Sequence, residues 1–300
     1  MKHLRKFLRT DQIAYLFITP ALIYMLLLVG YPILYNLLLS VQDVTVKNIN
    51  NGEHNFIGFA NYASLFQGGV LTQSIVNTLI FTVACIIVQF LLGFLLALFF
   101  NRRFSTSKFS RGLMMMPWMI PMTVTALMFK FMFSTNVGII NQVLQALRLI
   151  QSPIDWLTSP VSAMIAVIIA NVWIGIPFNM ILLSVGLTII PSELYESASI
   201  DGANGWKSFC HITLPLMRPT IESVLVLGFI YTFKVFDLIF VMTNGGPVNA
   251  TQLLSTYSYK LSFDLFKYSE GSAVANVLFV ILLAASLVYL KFTYTEEEER

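Results

Sequence analysis

Charge is scarce in this sequence: Asp, Glu, Lys and Arg make up 11% of its 300 residues, against 57% hydrophobic residues. A soluble domain of that size cannot cover its surface with so few ionic groups, so the soluble globular classes are excluded. Cysteine and histidine are scarcer still. Cys85 and Cys210 cannot by themselves make a disulfide framework or a metal site, and His3, His54 and His211 fall in no metal-ligand spacing. No serine or cysteine stands in a nucleophile motif, which argues against a membrane enzyme. The nearest approach to a phosphate loop is GANGWKS, residues 202–208, whose glycines are wrongly spaced and whose Trp206 replaces the glycine before the lysine. The chain is therefore expected to bind no metal, nucleotide or other cofactor of its own, and nothing in it suggests a nucleic-acid partner.

What is abundant is gathered into long apolar runs, at about 13–39, 71–100, 113–133, 161–190, 221–242 and 273–289. Each is long enough, at about 1.5 Å per helical residue, to cross roughly 30 Å of hydrocarbon. The runs are continuously apolar and do not alternate, which selects helices over barrel strands. The expectation is an all-α integral membrane protein: one domain, residues 1–300, with six transmembrane helices and membrane lipid around it. The basic start MKHLRKFLR precedes an apolar run too long for a cleavable signal, so the first helix is expected to stay.

The basic residues are distributed unevenly. Lys2, Arg5, Lys6 and Arg9 precede the first run, and Arg102, Arg103, Lys108 and Arg111 fill the link between the second and third. The positive-inside rule places both segments, and with an even number of spans both termini, in the cytoplasm. The links 40–70, 134–160 and 244–272 then face outward.

The same assignment makes 191–219 a cytoplasmic loop, and that loop is polar and helix-prone: ESASIDGANGWKSFCHITLPLMRP follows PSELY. Ser192 suits a helix start, with Glu193 and Glu196 in turns where the helix dipole favours negative charge. Gly202 suits a left-handed stop. Asn204 suits the cap of a second helix, which Pro215 and Pro219 are expected to end before the fifth span. On these grounds alone the pair of helices is equally a docking element or an amphipathic connector resting on lipid.

Glu196-Ser197-Ala198, Asp201-Gly202-Ala203 and Ile212-Thr213-Leu214-Pro215 resemble the EAA loop of permease subunits of binding-protein-dependent ABC importers, particularly the sugar-transporting branch, with Ser197 where alanine is usual. AYLFITPALIYMLLLVGYPILYNLLLS, FIGFANYASLF, NVWIGIPFNMILLSVGLTIIPSELYE and VFDLIFVMTNGGPVNATQLLSTYSYKLSF resemble further segments of that family in the same order. The resemblance implies the type I ABC importer permease fold in the cell membrane of a prokaryote. It also implies a second, paralogous permease subunit, two cytoplasmic ABC ATPases carrying the ATP and Mg, and an extracytoplasmic solute-binding protein that delivers a sugar. Leu194, Glu196, Ala198, Asp201, Gly202, Ala203, Leu214 and Pro215 would couple the chain to the ATPase.

Polar groups within the spans are candidates for the pathway. Lys234 and Asp237 lie three residues apart, on nearly one face of a continuous helix, so that they can pair; an internal ion pair that only fixes packing accounts for them equally well. Tyr231, Thr232 and Phe236 combine ring faces with a hydroxyl. The resemblance adds Gly175, Phe178 and Asn179 from the W-x-G-x-P segment, facing Tyr231, Thr232 and Val235. Asn77, Gln89, Asn171 and Asn276 are either pathway groups or interhelical links. The turn Asn244-Gly245-Gly246-Pro247 either touches the binding protein or shapes an outer gate. An ion-gradient transporter using Asp237, a permease for a glycerol phosphate ester or other anionic substrate, and a purely structural or signalling subunit remain as alternatives.

Overall fold

The computed structural model describes residues 10–48, 52, 54–102 and 105–298. Lys2, Arg5, Lys6, Arg9 and Arg103, on which part of the side assignment rests, lie outside the described residues, as does His3.

The chain is mostly helical. α1 (Thr10–Met25) passes through a π-helical turn, Leu26–Gly30, into α2 (Tyr31–Ser40). Pro32 has no N–H to offer the preceding turn, and widening that turn lets the helix continue past it. Two short strands, β1 (Gln42–Asp43) and β2 (Asn55–Phe56), pair antiparallel with Gln42 opposite Phe56. α3 (Ala60–Gln67) follows, and Gly69, at φ 73°, turns the chain into α4 (Val70–Asn101). Then come α5 (Ser107–Met114), α6 (Met116–Met119), α7 (Met122–Met132), α8 (Ile139–Ala146), α9 (Pro160–Ile189), α10 (Ser192–Ile200) and α11 (Gly205–Ser208). A second π-helical turn, Phe209–Thr213, joins α11 to α12 (Leu214–Phe233), and α13 (Asp237–Met242), α14 (Leu254–Tyr259) and α15 (Tyr268–Glu298) complete the described chain. A third π-helical turn, Lys260–Asp264, follows α14.

Among the described residues, five helices are long and apolar enough to cross a membrane: Tyr15–Ser40, Val70–Asn101, Pro160–Ile189, Gly205–Phe233 and Tyr268–Lys291. The expected third span, 113–133, is not one helix. Ile120 and Pro121 are extended (ψ 131° and 136°), because the proline ring pushes the residue before it out of the helical region, and only Met122–Met132 remains as an uninterrupted apolar helix. The fifth span differs at both ends. Pro215 and Pro219 do not stop the loop helix: the π turn precedes Pro215, which sits in the first turn of α12, and Pro219 lies inside it, so helix runs unbroken from Gly205 to Phe233. The break falls instead at Lys234–Phe236, where Phe236 adopts φ −125°, ψ −62°.

The chain divides into two compact units, 1–67 with 258–276, and 68–257 with 277–300. In the first, the Asn36 amide donates to Asn276 Oδ1 (2.7 Å), Asn61 Nδ2 to the Ser40 carbonyl (2.8 Å) and the Val44 N–H to Ser269 Oγ (2.8 Å). Within the second, α4 packs along α9 through small residues: a Cβ on Gly93 would lie 2.6 Å from that of Asn179, and one on Gly175 would overlap the Gln89 side chain. Phe81, Cys85, Ala126, Phe129, Val167, Ala170, Leu238 and Ile239 form one buried cluster, and Phe94, Ala97, Leu183, Met217 and Val224 another. Both cysteines are free thiols.

Candidate functional site

α9 and α12 are the two walls from which the site is built. Pro177 sits inside α9, α12 ends at Phe233, and the interrupted residues 234–236 turn back toward the same space. Together they enclose a cavity of about 370 Å3. Gly175, Phe178, Asn179, Tyr231, Thr232, Lys234, Val235 and Asp237, all expected on a pathway, line it. Gln89 and Asn171 line it as well and are also linked to each other, the Gln89 amide donating to the Asn171 carbonyl at 3.0 Å. For these two the interhelical link is present, and both also face the cavity.

Aromatic rings set the shape. Trp118 stacks on Phe178 (6.1 Å, 24°), and Phe178 meets Tyr231 edge to face (5.7 Å, 81°). Trp118 and Met122 escaped sequence reasoning, although MMMPWMIP held the signal: the prolines that break the third span turn the tryptophan toward α9. Asn179 is buried and donates to the Gly175 carbonyl at 2.9 Å, leaving its side-chain oxygen for another donor. Flat rings beside an amide, a hydroxyl and a cation suit a guest that carries both C–H faces and hydroxyl groups.

Lys234 and Asp237 do not form an ion pair, contrary to expectation. The helix face that would have brought them together is interrupted between them. The Lys234 ammonium instead lies 5.2 Å from the centre of the Tyr231 ring. Lys234 follows the last turn of α12 and Asp237 opens α13, so each charge stands at the helix end whose dipole it complements.

The second constellation is the loop. α10 ends at Ile200 with Asp201 at its C-cap, Gly202 turns the chain at φ 78°, and the Asn204 side chain accepts the Lys207 N–H at 2.9 Å as the cap of α11, as the sequence suggested. Tyr195 OH and Thr213 Oγ1 lie 2.8 Å apart and tie the two arms together. Trp206 stacks on Phe209, which reaches Phe94 of α4. Leu194, Glu196, Asp201, Gly202, Leu214 and Pro215 are exposed, while Ala198 and Ala203 are half-buried. Ile200, 87% exposed, and Trp206 add an apolar surface to the expected set.

The turn Asn244–Pro247 is held firmly. Asn244 and Gly245 have φ 49° and 80°, Thr251 Oγ1 donates to the Gly246 carbonyl at 2.7 Å, and Asn77 reaches the carbonyls of Asn249 and Gln252.

Residues 89–292 match the model of the family described as "Binding-protein-dependent transport system inner membrane component". The trehalose/maltose transport system permease protein MalF of Thermococcus litoralis is 34% identical over 284 residues, covering 94% of each chain. The lactose transport system permease protein LacF of Rhizobium radiobacter is 31% identical over 293 residues, covering 96% of each. Among solved structures, a chain of a bacterial alginate ABC transporter in complex with an alginate pentasaccharide-bound periplasmic protein superposes with a TM-score of 0.79 at 25% identity, covering 93% of each chain.

Proposed function

The chain belongs to the family of inner membrane components of binding-protein-dependent transport systems, as a multi-pass permease of the prokaryotic cell membrane, and we propose that it forms half of the pathway of an ATP-driven carbohydrate importer. A single observation carries the reading: the helix that begins at Gly205 in the exposed loop is the helix that ends at Phe233 in the cavity wall. Between Trp206 and Tyr231 that is roughly 37 Å of unbroken helix at 1.5 Å per residue. A partner that moves the loop therefore moves Tyr231 and Thr232.

The loop presents Leu194, Glu196 and Trp206 to a cytoplasmic ATPase; closure of a pair of ATPases draws the loops of two permease subunits together and turns the cavity outward. A docked binding protein, touching the turn Asn244–Pro247, releases its saccharide against Phe178, Tyr231 and Trp118, with Asn179, Thr232 and Lys234 as its polar partners. The other half of the pathway comes from a paralogous permease. Support comes from relatives named for trehalose/maltose and lactose transport and from the alginate transporter, which is in complex with a periplasmic protein that carries an alginate pentasaccharide.

The test is purification of the tagged chain from its native membrane in mild detergent, followed by reconstitution. A Walker-motif ATPase and a second six-span permease are expected to accompany it, and the proteoliposomes to take up saccharide only with ATP and the binding protein. Recovery of the chain alone across several detergents and tag positions, or uptake driven by an ion gradient without ATP, would overturn the proposal.

A further inference from the structure

A second cavity, of about 320 Å3, lies wholly within the unit formed by 1–67 and 258–276 and shares no residue with the one between α9 and α12. Tyr35 and Asn36 come from the last turns of the apolar stretch Tyr15–Ser40, and Tyr268 and Ser272 from the first turns of Tyr268–Lys291. The cavity thus sits where two apolar helices end, at the depth of the membrane interface rather than of the hydrocarbon. Ser262 and Phe263, on the π-helical turn after α14, close it.

Its chemistry is uniform. None of the lining residues carries a charge, and the nearby Lys267 is engaged by Glu270 at 3.0 Å. The lining offers hydroxyls and rings. Ser272 is 7% exposed, yet its hydroxyl makes no hydrogen bond among the described residues, and neither do those of Tyr35, Ser262 and Tyr268. Asn36 donates an amide N–H to Asn276, and its side-chain oxygen has no hydrogen-bond partner among the described residues. Tyr35 is exposed and Ser262 and Tyr268 are half-buried, so these hydroxyls open onto the cavity with their donors and acceptors unspent, available to a guest that carries hydroxyls of its own. The rings are fixed in place: Tyr35 stacks on Tyr31 at 6.0 Å, and Phe263 lies 5.0 Å from Tyr259.

A phosphate would need a cation that this lining lacks, and a plain acyl chain would leave the hydroxyls unpaired. We propose that this cavity binds one neutral sugar ring, presented by a glycolipid headgroup or by a free saccharide. The ring lies against Phe263 or Tyr35 and exchanges hydrogen bonds with Ser272, Ser262, Tyr268 and the Asn36 oxygen. Gly271 lets the Ser262 hydroxyl lie against its backbone, where a Cβ would displace it and alter the lining.

The full-length chain in phosphatidylglycerol nanodiscs is photolabelled with three probes bearing the same diazirine: glucosyl-diacylglycerol and methyl glucoside, each modified on the sugar, and a phosphatidylglycerol modified on the headgroup. Labelled peptides are then mapped by mass spectrometry. Labelling of 31–40 or 258–272 is expected from a glucose probe and is competed by its unlabelled form. The glycolipid alone identifies a headgroup site, the methyl glucoside alone a site for free saccharide, and both together a site that reads the ring. The pair Tyr35→Phe and Ser272→Ala, mild enough to preserve folding, should weaken competition about tenfold, as the loss of two neutral hydrogen bonds implies. Gly271→Ala should reduce the labelling further, with labelling around Phe178 unchanged. Labelling by the phosphatidylglycerol probe equal to that by the glucose probes, absence of competition, or full labelling in both sets of variants would overturn the proposal.

Discussion

Gly175→Ala should change the sign of its effect on stability according to the residue at position 89. In the native chain a Cβ at 175 would fall on the Gln89 amide, which donates to the Asn171 carbonyl at 3.0 Å. Gln89 must swing away. Overpacking of this kind costs about 1–3 kcal/mol, and the surrendered buried hydrogen bond about 1 kcal/mol more. Against that, alanine in a helix interior is favoured over glycine by at most about 0.5–1 kcal/mol. The net is a destabilisation of roughly 1–3 kcal/mol. When Gln89 is first replaced by alanine, the obstacle and the hydrogen bond are already gone. Gly175→Ala then brings only the helical preference and some filling of the gap, a gain of up to about 1 kcal/mol. The double-mutant cycle is read from reversible unfolding of the purified chain in mixed micelles, and its coupling energy should reach about 2 kcal/mol. Equal destabilisation by Gly175→Ala in both backgrounds would show that the Gln89–Gly175 contact does not set the spacing of α4 and α9.

Three further perturbations follow from the same geometry. Gly202→Ala meets no atom within 4 Å but forces a Cβ onto φ 78°, about 1–2 kcal/mol of backbone strain; transport should fall while membrane insertion is unchanged, and Gly202→Asn should recover much of the loss, as measured by saccharide uptake in whole cells. Asn204→Ala removes the cap on α11 and should cost about 1 kcal/mol locally, visible as faster hydrogen exchange at the Lys207 amide with no change at α9. Asn141→Leu would strand the Thr135 and Ile154 carbonyls and the Trp156 indole, all of which Asn141 now joins, and should lower the thermal midpoint by an amount equivalent to about 1–3 kcal/mol or more.

The local signals in the sequence were readable because each acts within a few residues. Gly202 turns and Asn204 caps as read, since a positive φ and an N-cap are decided by the residue itself and its next turn. Proline was legible only in part. Pro121 breaks its helix because the extended Ile120 before it is left in place, whereas Pro215 and Pro32 are absorbed by π-helical turns that no local rule announces. The Asn141 hub and the aromatic contact between Trp118 and Phe178 join elements distant along the chain, and nothing near either residue signals its partner. Part of the cavity's membership was legible from polar and aromatic residues within the spans, Lys234, Asp237, Tyr231 and Thr232 among them, and part through the resemblance, as with Gly175, Phe178 and Asn179; the way the helices break around it, and hence its mechanics, was not.

Those mechanics rest on the interruption at residues 234–236, where the sequence has neither glycine nor proline. The break is maintained by tertiary contacts and by charge. Ser255 donates to the Val235 carbonyl at 2.5 Å, satisfying an acceptor that a continuous helix would have used. Lys234 stands at the negative end of α12 and Asp237 at the positive end of α13, so the residues that would pair across a straight helix instead stabilise its two halves. The halves are anchored differently. α13 is tied to α7 through the Lys130 ammonium, 2.9 Å from the Val241 carbonyl, and carries Leu238, Ile239 and Met242 into the buried cluster with Phe129. α12 is continuous with the exposed loop. Under the proposed coupling, a displacement that enters at Trp206 and is carried along α12 would be absorbed at the three residues between Phe233 and Asp237, which line the cavity.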